Sequence, residues 1–322
     1  MLTKILKKRI ILTTAVLFAI SLMYLLPKEK LYTLDNVKEE LVYVEEDLNK
    51  EVIYMLDDNN MLGRTEVVIN QNEIVDKAKE LLEVLINDGK NESKIPNGFR
   101  GIIPGDTKIN SLTYDNNLIK VDFSKELLNV QKKYESKIVE AIVYTLTSIK
   151  EVDKVIIYVD GEILTKLPKS GFNLPSTLDK SYGINKNYDL TSYKNVNQVT
   201  IYYISKYNDE TYYVPVTKYL NDDRDKIKII IEELASSSSY NSNLMSYLNS
   251  NTELLATDQD VDSLFLTFNE YIFNDMNEKN ILEEVIYTIS LSVEANYDVK
   301  EVVFQVDNQE IYKSVIKTIE NS

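Results

Sequence analysis

The chain reads as an α/β (α+β) protein: two tandem copies of a small mixed-sheet domain, each packed with two helices, preceded by one N-terminal transmembrane helix. Three observations predict this. The segment from Ile53-Tyr54 to Asp160-Gly161 returns, weakly but in order, from Ile201-Tyr202 to Asp307-Asn308, as a duplicated unit would. Within each copy, short runs of alternating hydrophobicity give way twice to stretches of helical period. Ahead of both copies, Lys4, Lys7, Lys8 and Arg9 precede an apolar run from Ile10 to Leu26.

That run is roughly 17 residues, near the lower limit for a spanning helix. Its basic flank keeps residues 1–27 as a cytoplasmic tip and anchor and places residues 28–322 outside. A cleaved signal peptide is the alternative, but Leu25-Leu26-Pro27-Lys28 lacks a small-x-small cleavage site. Residues 28–50 form a juxtamembrane spacer. Leu34, Val37, Leu41, Val44 and Leu48 alternate three and four apart, a helical seam that could also serve as a short dimer zipper.

The first repeat covers residues 51–162. Val52–Leu56 and Thr65–Ile69 read as strands around the Asp57-Asp58-Asn59-Asn60 turn. Ile74, Ala78, Leu81, Leu82 and Leu85 mark one helix face, with Asn72 as N-cap and Asn87-Asp88-Gly89 as the stop. A loop with Pro96, Gly98, Gly101, Pro104 and Gly105 leads to strands Lys108–Tyr114 and Leu118–Phe123. A second helix spans about Glu135–Lys150, burying Ile138, Ile142, Val143, Leu146 and Ile149. Strand Lys154–Val159 closes the unit, joined to the preceding strand by a crossover. Residues 163–197 connect the copies; with apolar residues such as Phe172, Leu174, Leu178 and Ile184, part of this connector is expected to pack along them. Residues 198–322 repeat the order of elements in degenerate form. The best local match sets Thr145 against Thr288, and Ile311, Val315 and Ile319 suggest a terminal helical turn or two.

The 322 residues contain no Cys, His or Trp, and 51 acidic against 36 basic side chains give a net charge of −15. Disulfides, thiol catalysis, His-based triads and the commonest zinc sites are excluded. Because residues 1–27 carry basic but no acidic groups, the remainder is more acidic still, a poor partner for nucleic acid. No cofactor or metal motif stands out. Asp122 and Glu126 offer carboxylates for a cell-wall hydrolase, but Ser124 as a helix cap and Glu126 on its dipole explain them as well. The Ile103-Pro104-Gly105-Asp106-Thr107 turn could cradle an anion or simply lead into the next strand. Tyr202, Tyr203, Tyr207, Tyr212 and Tyr213 cluster in one hairpin, as sheet cover or as a binding surface.

In order, Val52-Ile53-Tyr54-Met55-Leu56, Ile103-Pro104-Gly105-Asp106-Thr107, Ile119-Lys120-Val121-Asp122-Phe123-Ser124, Ile142-Val143-Tyr144-Thr145-Leu146-Thr147 and Val155-Ile156-Ile157-Tyr158-Val159-Asp160-Gly161 resemble a GerM domain, the sporulation and spore germination module. Leu174-Pro175-Ser176 and Tyr182-Gly183-Ile184-Asn185 are similar to the connector of two-domain GerM proteins. The resemblance implies a unit like the ring-building modules of secretion systems. It also implies a non-enzymatic, membrane-tethered role outside the cytoplasm of spore formers, in assembling the complex between mother cell and forespore. Its implied partners are envelope proteins and peptidoglycan, and its motif residues fall at Pro104, Gly105, Asp122, Ser124, Asp160 and Gly161. Lipoprotein members carry an N-terminal Cys, which this chain lacks. The second copy has Asn249-Ser250-Asn251-Thr252 and Leu266-Thr267-Phe268-Asn269 in place of two motifs. A soluble-ligand sensor with its site between the repeats is a further reading.

The helix phase makes one direct prediction. Val143→Asp puts an unpaired carboxylate in the first repeat's core at a cost of several kcal/mol, comparable to a domain's whole stability. The variant should unfold in a thermal melt that leaves the parent folded; an unchanged melting curve contradicts the phase.

Overall fold

Each repeat opens with an antiparallel hairpin, and the two hairpins do not stay apart. The computed structural model describes residues 49–236 and 243–315. The expected membrane segment, and residues 28–48 of the spacer, lie outside the described residues. Repeat 1 comprises β1 (Lys50–Asp57), β2 (Leu62–Val68), α1 (Ile74–Leu85), β3 (Phe99–Arg100), β4 (Ile109–Asp115), β5 (Leu118–Phe123), α2 (Glu135–Leu146), β6 (Lys154–Val159) and β7 (Glu162–Ile163). The connector contributes β8 (Asn187–Asp189). Repeat 2 comprises β9 (Asn197–Tyr207), β10 (Glu210–Leu220), α3 (Lys226–Ala235), β11 (Leu254–Gln259), β12 (Ser263–Phe268), α4 (Glu283–Asn296), β13 (Glu301–Val306) and β14 (Gln309–Val315).

Among the described residues, three sheets result. β4-β5-β6-β7 and β11-β12-β13-β14 are four-stranded and mixed, one per repeat, with β5–β6 and β12–β13 parallel across the helical crossovers. The third has six strands and pools the hairpins β1–β2 and β9–β10 with β3 and β8. Between β2 and β10 the ladder is a single pair, Arg64 opposite Tyr213. One side-chain amide fills the rest of that seam. Asn185 Oδ1 accepts from Leu62 N at 2.9 Å, while its Nδ2 donates to Leu62 O at 2.9 Å and to Pro215 O at 2.8 Å. The amide thereby does what a strand residue's backbone does. Asn185 holds φ at +46°, a left-handed conformation that Asn tolerates better than most residues. Gly183, also left-handed, leaves room where a Cβ would meet Tyr219 Oη at 2.8 Å.

The outer edges of β1 and β9 carry short pairings, with β3 and with Met245, and beside each a helix side chain takes one further strand amide. Tyr54 N donates to Thr145 Oγ1 at 3.0 Å, and Tyr202 N donates to Ser292 Oγ at 2.9 Å. These matching bonds set the true repeat register: Thr145 corresponds to Ser292, not Thr288. The sequence match slipped by four residues, and a helix of 3.6 residues per turn keeps nearly the same apolar face under such a slip. Asn296 adds a second amide device, donating to Thr200 O at 2.6 Å and accepting from Thr200 N at 3.1 Å.

The corresponding tyrosines of the two copies meet. Tyr54 Oη and Tyr202 Oη, 148 residues apart, share a buried hydrogen bond of 2.7 Å. Tyr144 packs edge-on against Tyr54 with ring centroids 5.3 Å apart and donates to Lys180 O at 2.9 Å. Tyr202 and Leu291 of repeat 2 belong to the same continuous core as α2 and β1 of repeat 1. A buried hydrogen bond from Tyr212 Oη to Asp57 Oδ2 at 2.9 Å adds another tie. Val143, Ile142 and Leu146 are fully buried on α2, as the helical phase requires.

Several local expectations fail for identifiable reasons. Glu73, not Asn72, precedes α1, and Asn72 Oδ1 instead accepts from Asn49 Nδ2. α2 stops at Leu146 rather than Lys150: beyond it Ser148 N and Ile149 N bond three residues back, to Thr145 O and Leu146 O, so the chain tightens out of the α-helix. Ser124 makes no helix cap; its Oγ accepts from Lys108 N. The connector does pack in part as expected, through buried Leu174, Leu178 and Ile184, while Phe172 stands 66% exposed. Ile311 and Val315 lie in strand β14, not in a helix; Ile319 lies outside the described residues. Asp307 and Asn308 both take positive φ, the signature of a tight hairpin turn, and so send the chain back along β13. Asp160 and Gly161 do the same before β7.

Replacing Asn185 tests the seam. Asn185→Ala orphans backbone groups of Leu62 and Pro215 and should cost about 3 kcal/mol, given roughly 1–3 kcal/mol per buried unsatisfied group. Asn185→Gly loses the same amide but tolerates the backbone, and should cost about 1 kcal/mol less than Ala. Denaturant titration measures both; equal and negligible losses would contradict the role.

Candidate functional site

Beside the seam, α2, the connector and β10 enclose a cleft of about 500 Å³. From α2 and the turn before it come Lys133, Ser136, Lys137 and Glu140; from the connector come Phe172, Asn185 and Lys186; Tyr188 stands on β8. The sequence folds this way because Glu135 and Glu140 are buried at the front of α2 and must be satisfied. Glu135 accepts from Lys169 N at 2.7 Å and Ser170 N at 2.6 Å, pinning the Pro168–Gly171 turn that presents Phe172. Glu140 Oε2 accepts from Asn185 N at 2.9 Å. Its Oε1 accepts from Ser136 Oγ at 2.7 Å and lies 3.7 Å from Lys186 Nζ.

Two ammonium groups face this cleft at a desolvation cost. Burial pulls Lys186 down from 10.5 to about 8 against the opposing pull of Glu140, and its Nζ sits 3.1 Å from the centroid of the Tyr182 ring. Burial also lowers the Lys137 pKa, offset in part by Glu140 and Asp57; Lys137 Nζ donates to Asn185 Oδ1 at 3.0 Å. Asp57, behind them, is raised by burial despite hydrogen bonds from Met61 N and Tyr212. Tyr188 stacks on Tyr219 with centroids 4.8 Å apart while remaining 63% exposed.

The residues singled out from sequence lie elsewhere. Tyr202, Tyr203 and Tyr212 are buried, and Tyr207 and Tyr213 half-buried, so these five do not make a common exposed face. Both faces of β9 and β10 are covered by packing, and alternation therefore puts Tyr inside on either side. Asp122, Asp160 and Gly161 do come together: Asp122 Oδ1 accepts from Gly161 N at 3.0 Å, bracing the turn. A hydrogen bond with Ser124 lowers the Glu126 pKa, the opposite of what a glycosidase acid needs. Pro104 O accepts from Thr107 N at 3.0 Å, and Gly105 passes so near Asn87 that a Cβ would meet its carbonyl at 2.8 Å. These are turn and packing roles. Lys137, Glu140 and Lys186 escaped sequence reasoning. The available signal was Glu140, a lone charge inside the apolar run from Ile138 to Leu146.

The depressed Lys186 pKa has a signed consequence. Below about pH 8 folded and unfolded chains both hold its proton, and the fold bears the desolvation cost. Between about pH 8 and the ordinary lysine value of 10.5 only the unfolded chain keeps it, so stability rises with pH there. Urea titrations from pH 7 to 10 should show the parent gaining on Lys186→Met by up to about 3 kcal/mol, at 1.36 kcal/mol per pH unit. A pH-independent difference would contradict the burial argument.

Comparison with known proteins places the repeats. The profile of a family described as sporulation and spore germination matches residues 52–165 and 200–312. The spore germination protein GerM of Bacillus subtilis (strain 168) is 34% identical over 240 residues, covering 72% of this chain and 65% of that protein; the match thus spans less than two thirds of the relative's length. The solved tandem GerMN domains of the sporulation protein GerM from Bacillus subtilis superpose with a TM-score of 0.74 at 30% identity, covering 81% of this chain and 91% of theirs. The mixed α/β architecture, its duplication and the profile matches to both copies make this chain a tandem-domain member of the GerM domain family.

Proposed function

We propose that the chain is a membrane-anchored, extracytoplasmic scaffold of the cell envelope that acts in sporulation or spore germination by binding envelope proteins. The basic-flanked apolar run Ile10–Leu26 supplies the single-pass anchor and sets the orientation. The names of the relatives, a spore germination protein and a sporulation protein, supply the developmental setting. The observation that carries the scaffold reading is the pooled six-stranded sheet sealed by Asn185. It makes two repeats one block, and a block of fixed geometry is what a scaffold needs to hold partners in register. Peptidoglycan is the second partner of this reading.

The role is non-enzymatic. Its carboxylates at the former hydrolase candidates are engaged in turns, as Asp122 is with Gly161. The sensor alternative keeps a foothold in the cleft beside the seam, although Tyr54, Tyr144 and Tyr202 fill the centre of the joint.

The test uses the full-length chain in its own organism. A fluorescent protein fused ahead of Met1 should gather at the membranes around the developing spore, and cross-linking there should recover envelope proteins. Uniform distribution through spore formation together with no cross-linked partner would overturn the reading.

A further inference from the structure

The cleft beside the seam has a charge that sets it against the rest of the molecule. The chain as a whole carries −15, yet Lys133, Lys137 and Lys186 line one cavity of about 500 Å³. The acid sharing that wall, Glu140, has both oxygens engaged, by Ser136 and Lys186 on one and Asn185 N on the other. Asp57 stands behind Lys137, and its two oxygens accept from Met61 N and Tyr212 Oη. Three cations against these two anions leave one positive charge, which suits a monoanion better than a phosphate dianion. Lysine acts as a point charge with three donors. Lys137 has its printed hydrogen bond to Asn185, and Lys186 rests on the Tyr182 ring and against Glu140. The volume lies in the usual range for small-ligand sites. At the mouth, Phe172 and Tyr188 are each about two-thirds exposed, so apolar surface adjoins the positive wall.

We propose that this cleft binds the terminal carboxylate of a peptide, with Lys137 and Lys186 taking the carboxylate and Phe172 and Tyr188 covering the adjoining side chain. The proposal deepens the binding role given above and rests on it for its biological setting only. Binding of a short peptide in vitro succeeds or fails independently of where the chain localises in the cell. A peptide end of this kind has two sources, a cell-wall stem peptide ending in a D-residue and a protein C-terminus ending in an L-residue.

The groups around Lys186 determine the pH response. Glu140, Lys133 and Lys137 share its cleft from the α2 side and Tyr188 from β8, Tyr182 lies under it from the connector, and Tyr219 of β10 stacks on Tyr188, with Asp57 beyond Lys137. Lys186 loses its proton as pH rises past about 8. Loss of its charge should weaken anion binding while leaving the cavity's shape in place.

Isothermal titration of the full-length chain in detergent would use acetylated tripeptides ending in D-Ala or in L-Leu, their C-terminal amides, and inorganic phosphate. At least one free-acid tripeptide should bind, at least about tenfold more tightly than its amide and than phosphate. Affinity should fall as pH is raised from 7 to 9. Lys186→Met and Lys137→Met should each weaken binding about tenfold or more, and Phe172→Ser, on an exposed side chain that leaves the core intact, should weaken it several-fold. Lys313→Met, in an exposed ion pair with Glu301, should have no effect. Preference for the D-Ala or the L-Leu peptide identifies the source. Equal binding of acid and amide, tighter binding of phosphate, or no binding of either free acid would overturn the proposal.

Discussion

The joint between the repeats depends on a backbone problem solved by one side chain. Where β2 and β10 diverge, the ladder keeps one pair, and the buried N–H and C=O of Leu62 and the C=O of Pro215 turn to a side chain instead of to each other. Buried groups of that kind need partners. The Asn185 amide, carrying an acceptor and two donors, meets all three within 2.9 Å. Its own backbone N–H is taken by the buried Glu140 carboxylate at 2.9 Å. Seam, helix α2 and connector are therefore one hydrogen-bonded network, and the cleft wall is built from the same residues.

Duplication supplied the second half of the joint. Tyr54 and Tyr202 hold corresponding places in the two copies, and each hydroxyl satisfies the other. A neighbouring helix hydroxyl, Thr145 in one copy and Ser292 in the other, takes one amide of each strand edge in the same way. The surrounding motifs differ between the copies while these polar contacts recur in both. Repeat 2 lost its Pro-Gly turn and its Val-Asp-Phe-Ser stretch, yet β11, β12 and the parallel pairing of β12 with β13 form as in repeat 1.

Much of this was legible in the sequence. Alternating runs located β5 and β6, and helical spacing located the buried face of α2 around Ile142, Val143 and Leu146. The return strands β7 and β14 were hidden because their residues are largely exposed and lack alternation; only the Asp160-Gly161 and Asp307-Asn308 turns announced them. The pooled sheet was invisible, since strand pairing between repeats leaves no local pattern. The tyrosine hairpin misled for a related reason: residue type suggested a surface, but burial of both strand faces is a tertiary fact. The cleft was equally hidden. Lys137 and Lys186 look like ordinary surface lysines until the connector brings them 49 residues apart in sequence onto one wall.

The central claim is that the two repeats behave as one cooperative block rather than as linked beads. Native-state hydrogen exchange on the full-length chain tests it most directly, by comparing the opening free energies of core amides such as Val143 in α2 and Ile289 in α4. The account predicts equal values that fall together when Asn185 is replaced. Opening of repeat 2 at distinctly lower free energy, with repeat 1 still protected, would contradict it.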